Sequence, residues 1–248
     1  MKPILFSFGD IHLYSYGLSI VIGVLLSVFL MRRRALKEGF PKPDDVSDMA
    51  FTVLVWGFLG ARLFYVVQNF PYYLAHPFKI LALWEGGLIF YGGAISAFLG
   101  LILMTRKRKW SFWKALDFLT PYTALTHAFG RIGCFLNGCC YGKTCDLPWA
   151  VQFPELSSPV HPAQLYEAFY DLLLFAFLLA RRKRARFDGE IGLLYFLLYG
   201  IGRYTIEFLR EPSFSWFGLS SNQWLSFGII TVAFILFQLR RRQSSHHD

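Results

Sequence analysis

Apolar stretches alternate with short polar blocks along the whole chain. Runs of hydrophobic residues lie at about 11–31, 47–69, 86–105, 112–130, 163–180, 189–209 and 222–239. A bilayer core of about 30 Å needs around 20 such residues in helical form, so each run predicts a transmembrane helix. The run at 112–130 is interrupted by Asp117 and Pro121, and the run at 163–180 is short but ends in a basic block. The first run ends in Arg32-Arg33-Arg34, not in a small-residue cleavage site, and so reads as an anchor, not a removable signal. There is no fixed-period repeat, no Ser/Gly linker and no stretch that reads as a soluble domain.

The polar blocks set the orientation. Basic clusters follow the first run (Arg32 to Lys42), the third (Arg106 to Lys114), the fifth (Arg181 to Arg186) and the seventh (Arg240 to Arg242), and they hold most of the 25 lysines and arginines. Seven crossings put all of them on one side, which the positive-inside rule assigns to the cytoplasm. The expected fold is therefore an all-α integral membrane protein of about seven transmembrane helices, N-terminus outside and C-terminus cytoplasmic. It forms a single membrane-embedded domain over 1–248, with an outer-face segment at about 131–161 whose Trp149, Val151 and Phe153 lie over the bundle. Composition agrees: 55% of residues are hydrophobic and only 17% charged, where a soluble chain is nearer a quarter charged. A net charge of +9 raises nucleic acid as a partner, but the basic residues sit in topology blocks and not over one face, so no nucleic acid is expected.

Ionisable groups at membrane depth mark function more often than not. Four arginines stand apart from the inner blocks: Arg62, Arg131, Arg203 and Arg210, all on the outer half in this topology. Arg203 and Glu207 have the spacing of a helical i,i+4 pair, and Arg62 has the position of a snorkelling residue. Several guanidinium groups converging on one side also suit phosphate, which they bind bidentately, and the phosphate at hand in a membrane is a phospholipid headgroup. Glu167 opens the fifth run behind His161-Pro162 and must face the bundle, because lipid does not accommodate it.

Cys134, Cys139, Cys140 and Cys145 form a C-x4-CC-x4-C cluster. Zinc sites favour C-x2-C pairs, so this spacing fits metal poorly and no metal or cofactor is expected. A disulfide in an oxidising compartment and small apolar packers in a glycine-rich loop both remain open. His127 and His161 flank this segment, and a lone histidine there is more often a hydrogen-bonded structural residue than a base. His76, His246 and His247 show no evident chemistry.

The stretch from Gly130-Arg131-Ile132-Gly133 through Asn137-Gly138-Cys139-Cys140-Tyr141-Gly142 closely resembles the signature of the prolipoprotein diacylglyceryl transferase family. Tyr16-Gly17-Leu18, Gly60-Ala61-Arg62, Trp84-Glu85-Gly86-Gly87 through Tyr91-Gly92-Gly93, His161-Pro162 through Tyr166-Glu167, and Gly202-Arg203 through Glu207 to Pro212 resemble it in the same order. The resemblance implies transfer of a diacylglyceryl group from phosphatidylglycerol to the lipobox cysteine of a preprolipoprotein. A thioether forms and glycerol 1-phosphate leaves, at the outer leaflet of the bacterial inner membrane. No cofactor is expected, and the protein is expected to be a monomer. For that chemistry Arg131, Arg203, Glu207 and Tyr91 are expected to be catalytic. Arg131 binds the headgroup, and Arg203, oriented by Glu207, meets the charge that develops on the phosphate. Asn137, Gly142, Tyr16, Arg62, His161, Gln164, Tyr166, Glu167 and Arg210 are expected to contact substrate.

Two positions depart from the family. Tyr91 stands where a familiar form carries a histidine, and a tyrosine, with a reference pKa of about 10, is a poor general base. Cys134 stands where the signature often has asparagine. The rival reading from a different class is a membrane thiol oxidoreductase using the outer cysteines. A transporter is disfavoured because the charges gather on one side without paired broken helices, and a serine protease because no Gly-x-Ser-x-Gly elbow is present.

Overall fold

The computed structural model describes residues 4–8, 11–82, 86–211 and 215–244. Trp84, Glu85, Pro212, His246 and His247, named above, lie outside the described residues. A short antiparallel pair, β1 (Ile4–Phe8) and β2 (Ile11–Tyr14), leads into α1 (Ser15–Glu38). The long helices that follow are α2 (Pro43–Gln68), α4 (Phe90–Arg108), α5 (Phe112–Asn137), α6 (Ala163–Arg182), α7 (Glu190–Glu207) and α8 (Ser221–Ser244). Between α2 and α4 lie the short α3 (Phe70–Ala75) and a 3-10 turn at Pro77–Leu81. A two-residue hairpin, β3 (Ser215–Trp216) and β4 (Leu219–Ser220), precedes α8.

The body of each of the seven apolar runs thus lies on a helix of 18 residues or more, although the run at 11–31 opens in β2 and becomes helical only at Ser15. Four of them, α1, α2, α6 and α8, are long and apolar enough to cross a membrane. The chain is an α-helical membrane protein, and its helices wear apolar residues outward. Phe169, Leu173 and Phe177 of α6 are exposed, while Gln164, Glu167, Asp171, Leu174 and Leu178 of the opposite face are buried. That inversion is what lipid as solvent requires.

The contacts divide the chain into two compact units. In the unit formed by 30–115, α2 packs on α4 through small residues. A Cβ at Gly60 would overlap the Ser96 side chain and lie 2.7 Å from the Gly92 carbonyl oxygen, and one at Gly100 would lie 2.6 Å from Trp56. Such close backbone approach replaces, in a membrane, the hydrophobic drive that packs soluble helices.

The other unit, 1–29 with 116–248, holds the motif-bearing helices α5, α6 and α7. Its apolar centre is Ala124, Leu174, Leu178, Ile191 and Tyr195. The first part of α1 lies along α5, where a Cβ at Gly23 would meet Phe129 at 2.6 Å and Ser27 Oγ bonds the Tyr122 carbonyl at 3.2 Å. Asp117 and Pro121, which break the apolar pattern, do not break α5. The Asp117 carboxylate accepts the backbone N–H groups of Gly189 at 2.7 Å and Gly192 at 2.8 Å, satisfying donors at the start of α7. Glu190 beside them pairs with Arg181.

Candidate active site

Among the described residues, the polar centre of the larger unit is Glu167, one turn into α6 and 4% exposed. Gln164, Glu167 and Asp171 fall at i, i+3 and i+7, so the buried face of α6 that carries Leu174 and Leu178 at its far end carries these three at its near end. The Glu167 carboxylate meets three arginines from three different places. Arg131 Nε, near the end of α5, is 2.6 Å from Oε2; Arg210, just past α7, is 2.9 Å from Oε1; Arg203, in the last turns of α7, is 3.4 Å from Oε1. All three arginine side chains are less than one-fifth exposed.

Arg203 is shared with a second carboxylate, Glu207, at 2.5 Å across one helical turn. Glu207 is itself fixed from the end of β4 and the first turn of α8: its Oε1 accepts Ser220 Oγ at 2.9 Å and Asn222 Nδ2 at 2.8 Å. Ser220 and Gln223 form a capping box at the start of α8, each side-chain oxygen accepting the other's backbone N–H. The start of α8 and the end of α7 are therefore tied at the residue that orients Arg203. Three guanidinium groups against two carboxylates leave one positive charge in a dry place. Arg210 Nε is buried there with no hydrogen-bond partner among the described residues. Burial, followed by the charges of Arg203 and Arg131, holds the Arg210 guanidinium below its ordinary value, though an arginine remains cationic.

The chain from 138 to 162 forms the rim of this centre. Gly142 donates to the His161 carbonyl at 2.8 Å, His161 to that of Lys143 at 3.0 Å, and Lys143 to that of Leu209 at 2.7 Å, so the loop is laced to the strand-like stretch before α6 and to the end of α7. A Cβ at Gly142 would lie 2.5 Å from the Leu209 oxygen, which is why no side chain fits there. Phe153 is buried against Phe135 and Tyr141 and anchors the loop's far side. Tyr166 OH accepts Trp149 Nε1 at 2.8 Å and lies 3.4 Å from His161 Nδ1, and Gln164 Nε2 holds the Cys139 carbonyl at 2.5 Å. Asn137 is the exposed last residue of α5, and the half-exposed Tyr16 backs onto Gly133.

The structure thus brings Arg131, Asn137, Gly142, His161, Gln164, Tyr166, Glu167, Arg203, Glu207, Arg210 and Tyr16 into one unit. Arg62 and Tyr91 belong to the other. Arg62 is buried, and its guanidinium donates to five carbonyls, those of Lys79, Ile80, Ala82, Gly86 and Gly87, at 2.6–3.2 Å. That is the full donor set of an arginine, and it clamps the turn after α3. Tyr91 is exposed in the first turn of α4. Asp171, Ser220 and Asn222 are partners that the sequence motifs do not single out. Asp171 Oδ2 is 2.8 Å from Nδ1 of His127, whose ring stands edge-on to Tyr199, and Ser220 and Asn222 hold Glu207. The polar Ser220-Ser221-Asn222-Gln223 run at the head of an apolar helix is the signal for the last two.

All four cysteines are free thiols. Cys134, Cys139 and Cys140 gather at the end of α5. Hydrogen bonding with Cys134, then with Cys140, and the field of Arg131 hold the Cys139 thiol below its ordinary value.

The family model described as prolipoprotein diacylglyceryl transferase matches residues 3–239. A phosphatidylglycerol–prolipoprotein diacylglyceryl transferase of Clostridium tetani is 36% identical over 97% of this chain and 98% of its own length. Proteins of the same name from Bordetella avium (37%, covering 98% of this chain and 96% of that one) and Methylococcus capsulatus (38%, 96% and 92%) match equally broadly. With the match running from β1 through α8, the chain belongs to the prolipoprotein diacylglyceryl transferase family.

Proposed function

We propose that this protein transfers the diacylglyceryl group of phosphatidylglycerol to the lipobox cysteine of a preprolipoprotein, at the outer leaflet of a bacterial inner membrane. The peptide's thiolate sulfur attacks the glyceryl carbon that bears the phosphate. A carbon–sulfur bond forms, the carbon–oxygen bond breaks, and glycerol 1-phosphate departs with the electron pair. The thiol proton goes to solvent or to a nearby base. The phosphodiester carries one negative charge and the leaving phosphate monoester gains a second, so fixed cations at that phosphate favour the transition state over the ground state.

One observation carries the reading: three guanidinium groups, each less than one-fifth exposed, converge on Glu167 and leave a net positive charge and, among the described residues, an unpartnered donor, Arg210 Nε. In the proposed complex Arg131 and Arg210 hold the headgroup phosphate, Glu167 keeps them from repelling one another, and Arg203, fixed by Glu207, meets the charge that develops. Asn137, Gln164, Tyr166 and His161 line the rim where the glycerol and the peptide enter. Thiol activation rests on this positive field, which favours a thiolate. The seven-helix topology, N-terminus outside and C-terminus cytoplasmic, sets Arg131 and its partners at the outer surface, with the segment 131–161 covering them.

The test uses purified protein with phosphatidylglycerol and a lipobox peptide, following peptide mass and released glycerol phosphate together. A diacylglyceryl mass gain that vanishes in folded Arg131→Ala and Arg203→Ala variants is expected. No mass gain from folded wild type with several peptides would overturn the transferase reading.

A further inference from the structure

The cysteines at the end of α5 meet for a reason built into the backbone. Gly138 has φ +76°, its N–H bonds the Phe135 carbonyl at 3.1 Å, and the N–H of Cys139 bonds the Cys134 carbonyl at 3.1 Å. This is the Schellman ending of a helix, in which the residue two past the end packs on the residue that opens the last turn. Here both residues are cysteines. Cys140 follows with φ +66°, a left-handed conformation that is rare for a side chain, and its Sγ comes to 3.5 Å from Cys139 Sγ. The three sulfurs lie within 4.8 Å of one another.

We propose that Cys134, Cys139 and Cys140 form a three-thiolate site for one thiophilic cation of the zinc class, with its fourth position left to an incoming thiol. Zinc–sulfur bonds of about 2.3 Å set the sulfurs of a tetrahedral site roughly 3.8 Å apart, a spacing that small side-chain rotations reach from this arrangement. The spacing C-x4-CC is not a zinc signature, but the Schellman turn folds it into a cluster that C-x2-C pairs reach by another route. Three thiolates and a divalent ion carry one net negative charge, and the one positive charge that the three arginines hold in excess of Glu167 and Glu207 lies in the same unit. Cys134 is buried and Cys140 exposed, so an ion would sit at the surface with one face open. An open position is what separates zinc sites that act on a ligand from closed structural ones. An ion held there would let the peptide's thiol bind as thiolate at neutral pH, its proton passing to solvent, and so would add to the activation by the arginines' positive field. That second step rests on the transferase reading; binding of the ion does not.

The experiment is titration of the whole protein, in detergent and reduced with a phosphine, with Co²⁺ as spectroscopic probe. One equivalent is expected to give a sulfur-to-cobalt charge-transfer band of three-thiolate intensity. The band is expected to be lost in Cys139→Ser and kept in Cys145→Ser, whose sulfur lies outside the cluster. Independently of any variant, Zn²⁺ is expected to protect Cys139 and Cys140 of the wild type from alkylation while leaving Cys145 labelled. No band in reduced wild type, a band that survives Cys139→Ser, or alkylation unchanged by Zn²⁺ overturns the metal site. Addition of the lipobox peptide is then expected to shift the cobalt ligand-field bands. Bands that do not move overturn the open-position assignment while the transferase reading, tested by its own mass gain, stands or falls separately.

Discussion

At the scale of single residues, Glu167 and Arg62 show how alike two buried charges look in sequence and how differently they are used. Glu167 is the only carboxylate facing Arg131 and Arg210 among the ion pairs described, so Glu167→Gln leaves cations uncompensated in a dry site. Breaking a buried pair by removing one partner costs about 3–5 kcal/mol. A marked fall in thermal stability in detergent is therefore expected, and it should be partly restored by a compensating Arg131→Met in the same chain. Additive losses in that cycle would show that the two side chains do not act as a pair. Arg131→Lys keeps the charge but not the planar fork. It is expected to fold normally and to lose activity by about a hundredfold, the scale of one missing donor to a developing oxyanion. Arg62 predicts the opposite split. Its donors all end on loop carbonyls, and Arg62→Lys cannot reach five of them with three N–H groups. Stability is expected to fall by at least about 3 kcal/mol, since several buried carbonyls lose their partners. The sequence marks both residues as charges out of place, because the cost of desolvation is legible in composition alone. Which group each charge meets depends on backbone turns, such as 79–87, that carry no periodic signal.

At the scale of elements, each apolar run carries a helix, the form in which a chain placed in lipid satisfies its own backbone bonds. The features that pattern alone misjudged are the ones that tie elements together. Asp117 looks like a flaw in an apolar run and proves to be the N-terminal partner of α7, from 72 residues away. Asp117→Ala strands the N–H groups of Gly189 and Gly192, and a loss of about 1–2 kcal/mol is expected, the range of a missing helix cap. In Asp117→Asn the single amide oxygen can accept only one of the two N–H groups, so a stability between those of the wild type and Asp117→Ala is expected. Glycine is a second such feature. Gly60→Leu places a branched side chain where Ser96 and the Gly92 carbonyl already stand, and is expected to separate α2 from α4 and abolish the folded state, as read by thermal aggregation in detergent. The short α3, the 3-10 turn, the β3–β4 hairpin and the Schellman turn at Gly138 were not legible. Each is set by local hydrogen bonds over a few residues, too short for any period to register.

At the scale of the whole molecule, the number of crossings decides which side of the membrane each basic block meets. Length and composition single out α1, α2, α6 and α8, and these alone would make four crossings. The blocks at Arg32–Lys42, Arg106–Lys114, Arg181–Arg186 and Arg240–Arg242 would then follow one, two, three and four crossings and alternate between the two sides, against the positive-inside rule. If α4, α5 and α7 cross as well, the blocks follow one, three, five and seven crossings and fall together. The charges that keep these three helices from looking apolar each have a place in the fold. Arg106 to Arg108 close the last turn of α4, Asp117 caps α7, and Arg131, Arg203 and Glu207 belong to the ion-paired centre. The prediction is that a reporter active only in the cytoplasm works when inserted at Lys109, at Lys183 or after Ser244, and fails when inserted between Asp146 and Ser158. Opposite outcomes at Lys109 and Lys183 are what four crossings require. They would put the arginine centre and its rim on no consistent side of the membrane and remove the outer-leaflet assignment with them. Agreement at Lys109 and Lys183, with the loop of 146–158 opposite to both, fixes that rim outside, where a secreted peptide's cysteine and the headgroup of an outer-leaflet lipid can meet the same three arginines.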